Sequence, residues 1–208
     1  KCDWSSDVCS SDLKGDVSYS LSDDDIKKIF KHFGFDIKII TYDELVNYNS
    51  FNEILTDNIE ACILHIPQTV DKLTGHWVAI LKKQEKDKII INFFDSFGKK
   101  PDRQLYYTPL KLRKEIFEEP YLSFILNNDK KNNIDIIFNC YDFQKEQLNI
   151  NTCGKWCCYT ILHFYFTKNI YNNDFKQHIY NIKHQYYKHY TLDQMIAKLM
   201  NPEQPKYI

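Results

Sequence analysis

The sequence predicts an α+β domain, on three observations. Residues 156–166 are apolar on every side of a helical wheel, the pattern of a helix enclosed by protein. Residues 76–81 and 89–94 are two β-rich runs joined by a wholly polar stretch, which reads as a hairpin. The remaining helix and strand signals are interspersed without an internal repeat or a linker-like run. A length of 208 residues with 43% hydrophobic and 26% charged residues supports one buried core. Lys plus Arg number 27 against 28 for Asp plus Glu, so the net charge of -1 gives no global attraction for nucleic acid and leaves only a local basic patch. No run of about 18 apolar residues exists, which excludes a membrane-spanning helix. Only 5 Gly and 6 Pro argue against disorder and collagen-like repeats.

The elements follow in order. Residues 1–13 contain the near repeat Ser5-Ser6-Asp7 and Ser10-Ser11-Asp12 without apolar periodicity. They resemble translated sequencing-adapter sequence and are expected to be a non-native or disordered tail, leaving 14–208 as the single domain. Ser22 followed by Asp25 is a capping-box start, and Ile26, Ile29, Phe30 and Phe33 keep helical spacing up to Gly34. An apolar run at 37–40, a weak helix near 51–55 and a strand at 61–66 ending at Pro67 come next. A four-residue loop at 84–87 would pair Lys83 with Lys88 and bring His76 opposite Asp95. A slip of one residue still leaves both polar groups together at the open end of the hairpin. Residues 108–126 are helical with a break at Pro120, 134–138 form a further strand, and two amphipathic helices near 174–182 and 192–200 complete the plan.

Seven cysteines cannot all pair, and no segment reads as a signal peptide, so free thiols in a reducing compartment are expected. Cys153 falls at the start of the central helix, where unpaired amides and the helix dipole favour a thiolate. A cysteine with an ordinary pKa of about 8.5 needs such a setting and an imidazole to act as a nucleophile. His76 is the candidate imidazole, with Asp95 orienting the ring. Gln147, six positions before Cys153, can offer a side-chain amide to an oxyanion, with the Cys153 backbone amide as a second donor.

Gly75-His76-Trp77, Phe94-Asp95-Ser96-Phe97-Gly98, Gln147 and Thr152-Cys153-Gly154-Lys155-Trp156-Cys157-Cys158 together resemble the adenovirus-type, adenain-like cysteine proteases of DNA viruses and virus-like transposons. The resemblance runs from about Ser22 through the central helix. It implies a papain-like fold with permuted catalytic order, the central helix packed on a small mixed β-sheet, and catalytic His76, Asp95, Gln147 and Cys153. Adenain has Glu at the position of Asp95 and one more residue between its Gln and Cys. On that spacing the chain is closer to the ubiquitin-like-protein proteases and relatives from large DNA viruses. The resemblance further implies capsid or core precursors as polypeptide substrates, cut during virion maturation in the virion or infected cell. It raises an activating peptide or DNA as a non-chemical cofactor. A monomer without membrane attachment is expected, and no metal or other cofactor is required for the chemistry.

Trp77 is expected to pack over the His76 ring and, with Gly154, to contact substrate. Cys62, Cys157 and Cys158 read as core, since adjacent cysteines on a helix point about 100° apart and fit one tetrahedral zinc poorly. Cys140 stays unassigned, because its spacing does not match the cysteine by which adenain is activated. Ser96 reads as a turn residue. The basic and aromatic stretch from Lys168 to Tyr190 favours a solvated face over a nucleic-acid surface. Two rivals remain: a deconjugating protease for ubiquitin-like modifiers, and a catalytically inactive binding module of the particle.

Overall fold

In a computed structural model, residues 14–69, 74–116 and 120–208 are described, and the expected tail at 1–13, with Cys2 and Cys9, lies outside them. Five strands form one mixed sheet in the order β1-β2-β3-β4-β5: β1 (Lys38–Thr41), β2 (Ala61–Pro67), β3 (Gly75–Glu85), β4 (Lys88–Phe94) and β5 (Asp135–Phe138). The β1–β2 and β4–β5 pairs are parallel, and the two inner pairs are antiparallel. The helices are α1 (Asp23–His32), α2 (Phe51–Ile54), α3 (Leu110–Ile116), α4 (Tyr121–Lys131), α5 (Cys153–Thr167), α6 (Asn172–Tyr186) and α7 (Leu192–Leu199). Two short 3-10 turns, Tyr42–Asn47 and Arg103–Tyr107, have no counterpart in the apolar periodicity.

Both faces of the sheet are covered, which is why all seven residues of β2 are buried and its sequence shows no alternation. On one face Ala61, Ile63, Trp77, Ala79 and Leu81 pack against α5 and the C-terminal helices. On the other, Cys62, Leu64, Val78 and Ile80 meet Tyr42, Phe51, Leu122 and Ile125. Helix α5 is buried from Cys153 through Phe164, as an apolar wheel requires. At α1, the Ser22 hydroxyl accepts from the Asp25 amide while Asp25 accepts from the Ser22 amide, so the capping box is reciprocal.

The hairpin register differs from the expected one. Glu85 pairs with Lys88 and Ala79 with Phe94, two positions beyond the anticipated Asn92. The loop is only Lys86 and Asp87, with Lys86 in the left-handed region at φ 50°. A two-residue hairpin turn needs positive φ, which usually announces itself as Asn-Gly or Asp-Gly, and this loop carries no glycine. A shift of two leaves every side chain on its expected face, because the strand period is two. The ladder ends at Phe94, so Asp95 is the first residue beyond the strand and does not sit directly across from His76.

Candidate active site

His76 is the second residue of β3 and pairs with Ile66 of β2. Gly75 before it has no room for a side chain: an added Cβ would lie 2.3 Å from His65 Nε2 and 2.5 Å from the Ile66 carbonyl oxygen. Beyond β4 the chain turns sharply, with the Gly98 amide donating to the Asp95 carbonyl at 2.9 Å. Gly98 has φ +64°, and a Cβ there would press on the Tyr141 carbonyl at 2.9 Å, so glycine is required twice over. This turn swings the Asp95 carboxylate back toward β3.

There the His76 Nε2 and Asp95 Oδ1 atoms are 2.9 Å apart, with the two side chains 4% and 0% exposed. Asp95 Oδ1 also accepts the Phe97 amide at 2.8 Å. With Nε2 committed to Asp95, Nδ1 is the ring nitrogen left to hydrogen-bond the Cys153 thiol, the second partner of His76. Cys153 is the first residue of α5, directly after Thr152, and is 6% exposed. Burial alone would push its thiol up, but the His76 hydrogen bond and charge, with backbone amides of Trp77 and Gly154, hold it below the ordinary thiol value. Burial opposes charge on His76 too, yet the Asp95 carboxylate and the Cys153 thiol raise it to about 10. Both shifts favour a thiolate–imidazolium pair. By contrast, Cys62 is buried without such partners and is pushed up to about 12, and burial also raises Cys157 and Cys158.

A cleft of about 660 Å³ opens onto this pair, with Gly75, His76, Phe97, Gln144, Gln147 and Cys153 among its walls. The structure thus brings His76, Asp95 and Cys153 into contact and sets Gln147 on the rim of the same cleft, where it is exposed. Gln144, three residues earlier, is the buried glutamine: its Oε1 accepts from Ser96 Oγ at 2.7 Å and its Nε2 donates to the Ile150 carbonyl at 3.0 Å. Gln144 therefore shapes the loop that carries Gln147. Ser96, fully buried, lies in the turn after β4, as expected.

The stacking expected for Trp77 is corrected. Its ring lies against His65, with centroids 4.3 Å apart, and its Nε1 donates to the Leu21 carbonyl at 3.2 Å. The ring over His76 is Phe97, stacked at 5.0 Å and 15°. Trp77 and Gly154 sit behind the thiol, where a Cβ on Gly154 would meet Trp77 Cδ1 at 3.1 Å, and neither belongs to the cleft wall. Glycine at 154 lets the helix start approach the strand closely.

Three further residues escaped sequence reasoning. Gln104, fully buried in the second 3-10 turn, donates its Nε2 to Asp95 Oδ2, so both carboxylate oxygens are held. Its Oε1 is buried without a hydrogen-bond partner among the described residues, so the amide orientation is set by the carboxylate. Lys155, buried in the first turn of α5, donates to the Asp16 carbonyl at 2.6 Å and keeps a cation near Cys153, although burial pulls its pKa down to about 8. Asp193 of α7 accepts from Thr152 Oγ1 at 2.5 Å and from the Lys145 amide at 3.1 Å, tying a distant helix to the start of α5. None of these follows a motif spacing. Gln104→Leu should lower turnover about tenfold and cost about 1 to 2 kcal/mol, because one buried carboxylate oxygen loses its donor while an unpartnered amide oxygen is removed with it. Steady-state kinetics and urea unfolding check both effects.

Of the basic stretch near the C-terminus, several groups are engaged in packing. His178 lies 3.1 Å from the Tyr159 hydroxyl, and Lys176 sits over the Tyr141 ring at 3.9 Å. Among the described residues, no helix is long and apolar enough to cross a membrane.

No family model matches the chain. Among solved structures it is similar to the ASFV pS273R protease, at 13% identity and a TM-score of 0.49, covering 94% of this chain and 70% of that one. It is also similar to a de-sumoylating protease, at 14% identity and a TM-score of 0.40, covering 94% of this chain and 79% of the other. In sequence it is 32% identical over 164 residues to the uncharacterized protein V9 of Sputnik virophage, across 78% of this chain and 85% of the relative. At that identity and coverage, the chain belongs to the same family as the virophage protein V9.

Proposed function

We propose that the chain is a cysteine endopeptidase of the adenain-like type, acting on viral structural precursor proteins during virion maturation. The observation that carries the reading is the buried chain of contacts from Asp95 through His76 to a thiol at a helix start. In this mechanism the Cys153 thiolate attacks the scissile carbonyl carbon, and the protonated His76 delivers its Nδ1 proton to the departing amine. Asp95 keeps the imidazolium oriented, and Gln104 and the Phe97 amide keep Asp95 in place. The developing oxyanion is received by the Cys153 amide and by Gln147, whose side chain turns in from the rim when a substrate fills the cleft. Water then hydrolyses the thioester with His76 as base.

The chemistry uses only these side chains. DNA or an activating peptide, raised by the family resemblance, would act on conformation. The expected setting is the virion and the infected cell, with the enzyme acting as a monomer.

Cleavage of capsid precursors encoded beside the gene, against cleavage of a ubiquitin-like Gly-Gly fusion, separates maturation from deconjugation. Labelling by a thiol-directed peptide electrophile that survives Cys157→Ala and is lost in Cys153→Ala supports the enzyme over an inactive binding module. The pair also sets the pH dependence. Below the lowered thiol value the nucleophile is protonated, so both alkylation and hydrolysis fall. Toward pH about 10 the imidazolium loses its proton, so hydrolysis falls for want of an acid while alkylation of the thiolate persists. A bell for hydrolysis and a single rising limb for iodoacetamide labelling, with its midpoint below that of an ordinary thiol, are the expected profiles.

A further inference from the structure

Past Phe97, across the Lys99–Glu146 ion pair, lies a second concavity that the catalytic reading does not use. Lys99 marks the boundary: its Nζ lies 5.9 Å from the Phe97 ring and 2.8 Å from Glu146 on the cleft rim. Beyond it, a groove of about 330 Å³ runs between the 100–103 turn, α4 and β5, and an open shelf at Tyr106 adjoins it through Lys100 and Arg103. Lys100, Arg103 and Lys130 converge here, and no carboxylate is among the lining residues of either part. None of the three makes an ion pair among the described residues, and the nearby Asp102 is turned inward to Tyr42 and the Ser123 amide. Like charges gathered without acids repel one another, whereas ordinary protein surfaces intersperse the two signs. Two aromatic rings stand in the same groove and shelf, Tyr106 at 67% and Phe138 at 41% exposure. Arg103 lies 5.6 Å from the Tyr106 ring centre and Lys100 lies 5.9 Å from that of Phe138, so the cations are held beside apolar surface.

We propose that this groove is a docking subsite for an acidic segment of the polypeptide substrate, outside the residues that flank the scissile bond. The inference rests on the proteolytic reading for what is docked, and on charge complementarity and nearness to the cleft rim through Lys99 and Glu146 for where. Carboxylates of the segment would pair with Lys100, Arg103 and Lys130, and its apolar side chains would cover Phe138 and Tyr106. A polypeptide is favoured over nucleic acid by two features. Three unpaired cations neutralise few phosphates, so the counterion release that drives nucleic-acid binding would be small. The groove also borders β5, the outer strand of the sheet, and an outer strand presents a row of backbone groups at the spacing of another polypeptide strand.

Fluorescence anisotropy with a fluorescein-labelled deca-glutamate peptide tests the proposal on the whole protein at low salt, with the triple variant K100E/R103E/K130E alongside. The expected results are binding that weakens at least tenfold in the variant and no comparable binding of a deca-lysine peptide. Iodoacetamide labelling of Cys153 should be unchanged in the variant, showing an intact fold and site. Equal binding by the two proteins, no binding by either, or tighter binding of an oligothymidylate of equal charge that the variant also loses would each overturn it. Binding and precursor cleavage are separate readouts, so an inactive protein that still discriminates the peptide would count against the enzyme reading alone.

Discussion

Replacing Cys153 with Ala should abolish peptide hydrolysis, lowering kcat on the order of 10⁴-fold or more, with the fold intact. The thiol is the nucleophile in the proposed mechanism, and no neighbouring sulfur can replace it, since Cys157 and Cys158 are buried and held as thiols. His76→Ala should cost nearly as much, and the double variant no more than the worse single one, because the two groups act as one unit. Single-turnover measurements on a cleaved precursor peptide read these losses. Additive effects, or hydrolysis that persists in Cys153→Ala, would remove the mechanism. Trp77 and Gly154 would be unaffected by the Cys153 exchange, as alanine is smaller than cysteine and leaves the packing between helix start and strand in place.

The largest effect on stability is expected far from the thiol in sequence, at Asp193. Its carboxylate is 1% exposed and receives the Thr152 hydroxyl and the Lys145 amide, with Trp156 Nε1 at 3.5 Å as a weaker third donor. Asp193→Leu would leave those donors buried without an acceptor. At about 1.5 to 3 kcal/mol for each hydrogen bond to a charged group, the loss should be about 3 to 5 kcal/mol. Asp193→Asn keeps one oxygen and should lose about half as much. Urea unfolding measures the difference as a lower midpoint at constant slope. Because Thr152 immediately precedes Cys153 and Lys145 begins the cleft loop, the folded fraction of Asp193→Leu should also turn over more slowly, which separates this residue from an ordinary surface helix position.

Much of the candidate site was legible because it is built from residue types in a fixed order. A thiol at a predicted helix start, a histidine opening a strand and an acid closing the next strand can be read from local patterns. Asp95 meets His76 without being its partner across the strands. The tight turn closed by Gly98 sends the carboxylate back to the histidine from just beyond the end of β4. Phe97 was not legible, because it reaches the His76 ring through the turn beyond β4 and not through the strand ladder.

What the sequence by itself determined is the element plan, the enclosed central helix and the identity of the histidine, acid and thiol that come together. Periodicity, capping residues and obligatory glycines are local signals, and they survive without knowledge of the packing. Only the tertiary structure decided the two-residue hairpin loop, the placement of Trp77 against His65, and the holding of Asp95 by Gln104 and of Thr152 by Asp193. Each of these depends on a polar or aromatic group meeting a partner that no spacing rule connects to it, at a place where burial leaves it no water to bond instead.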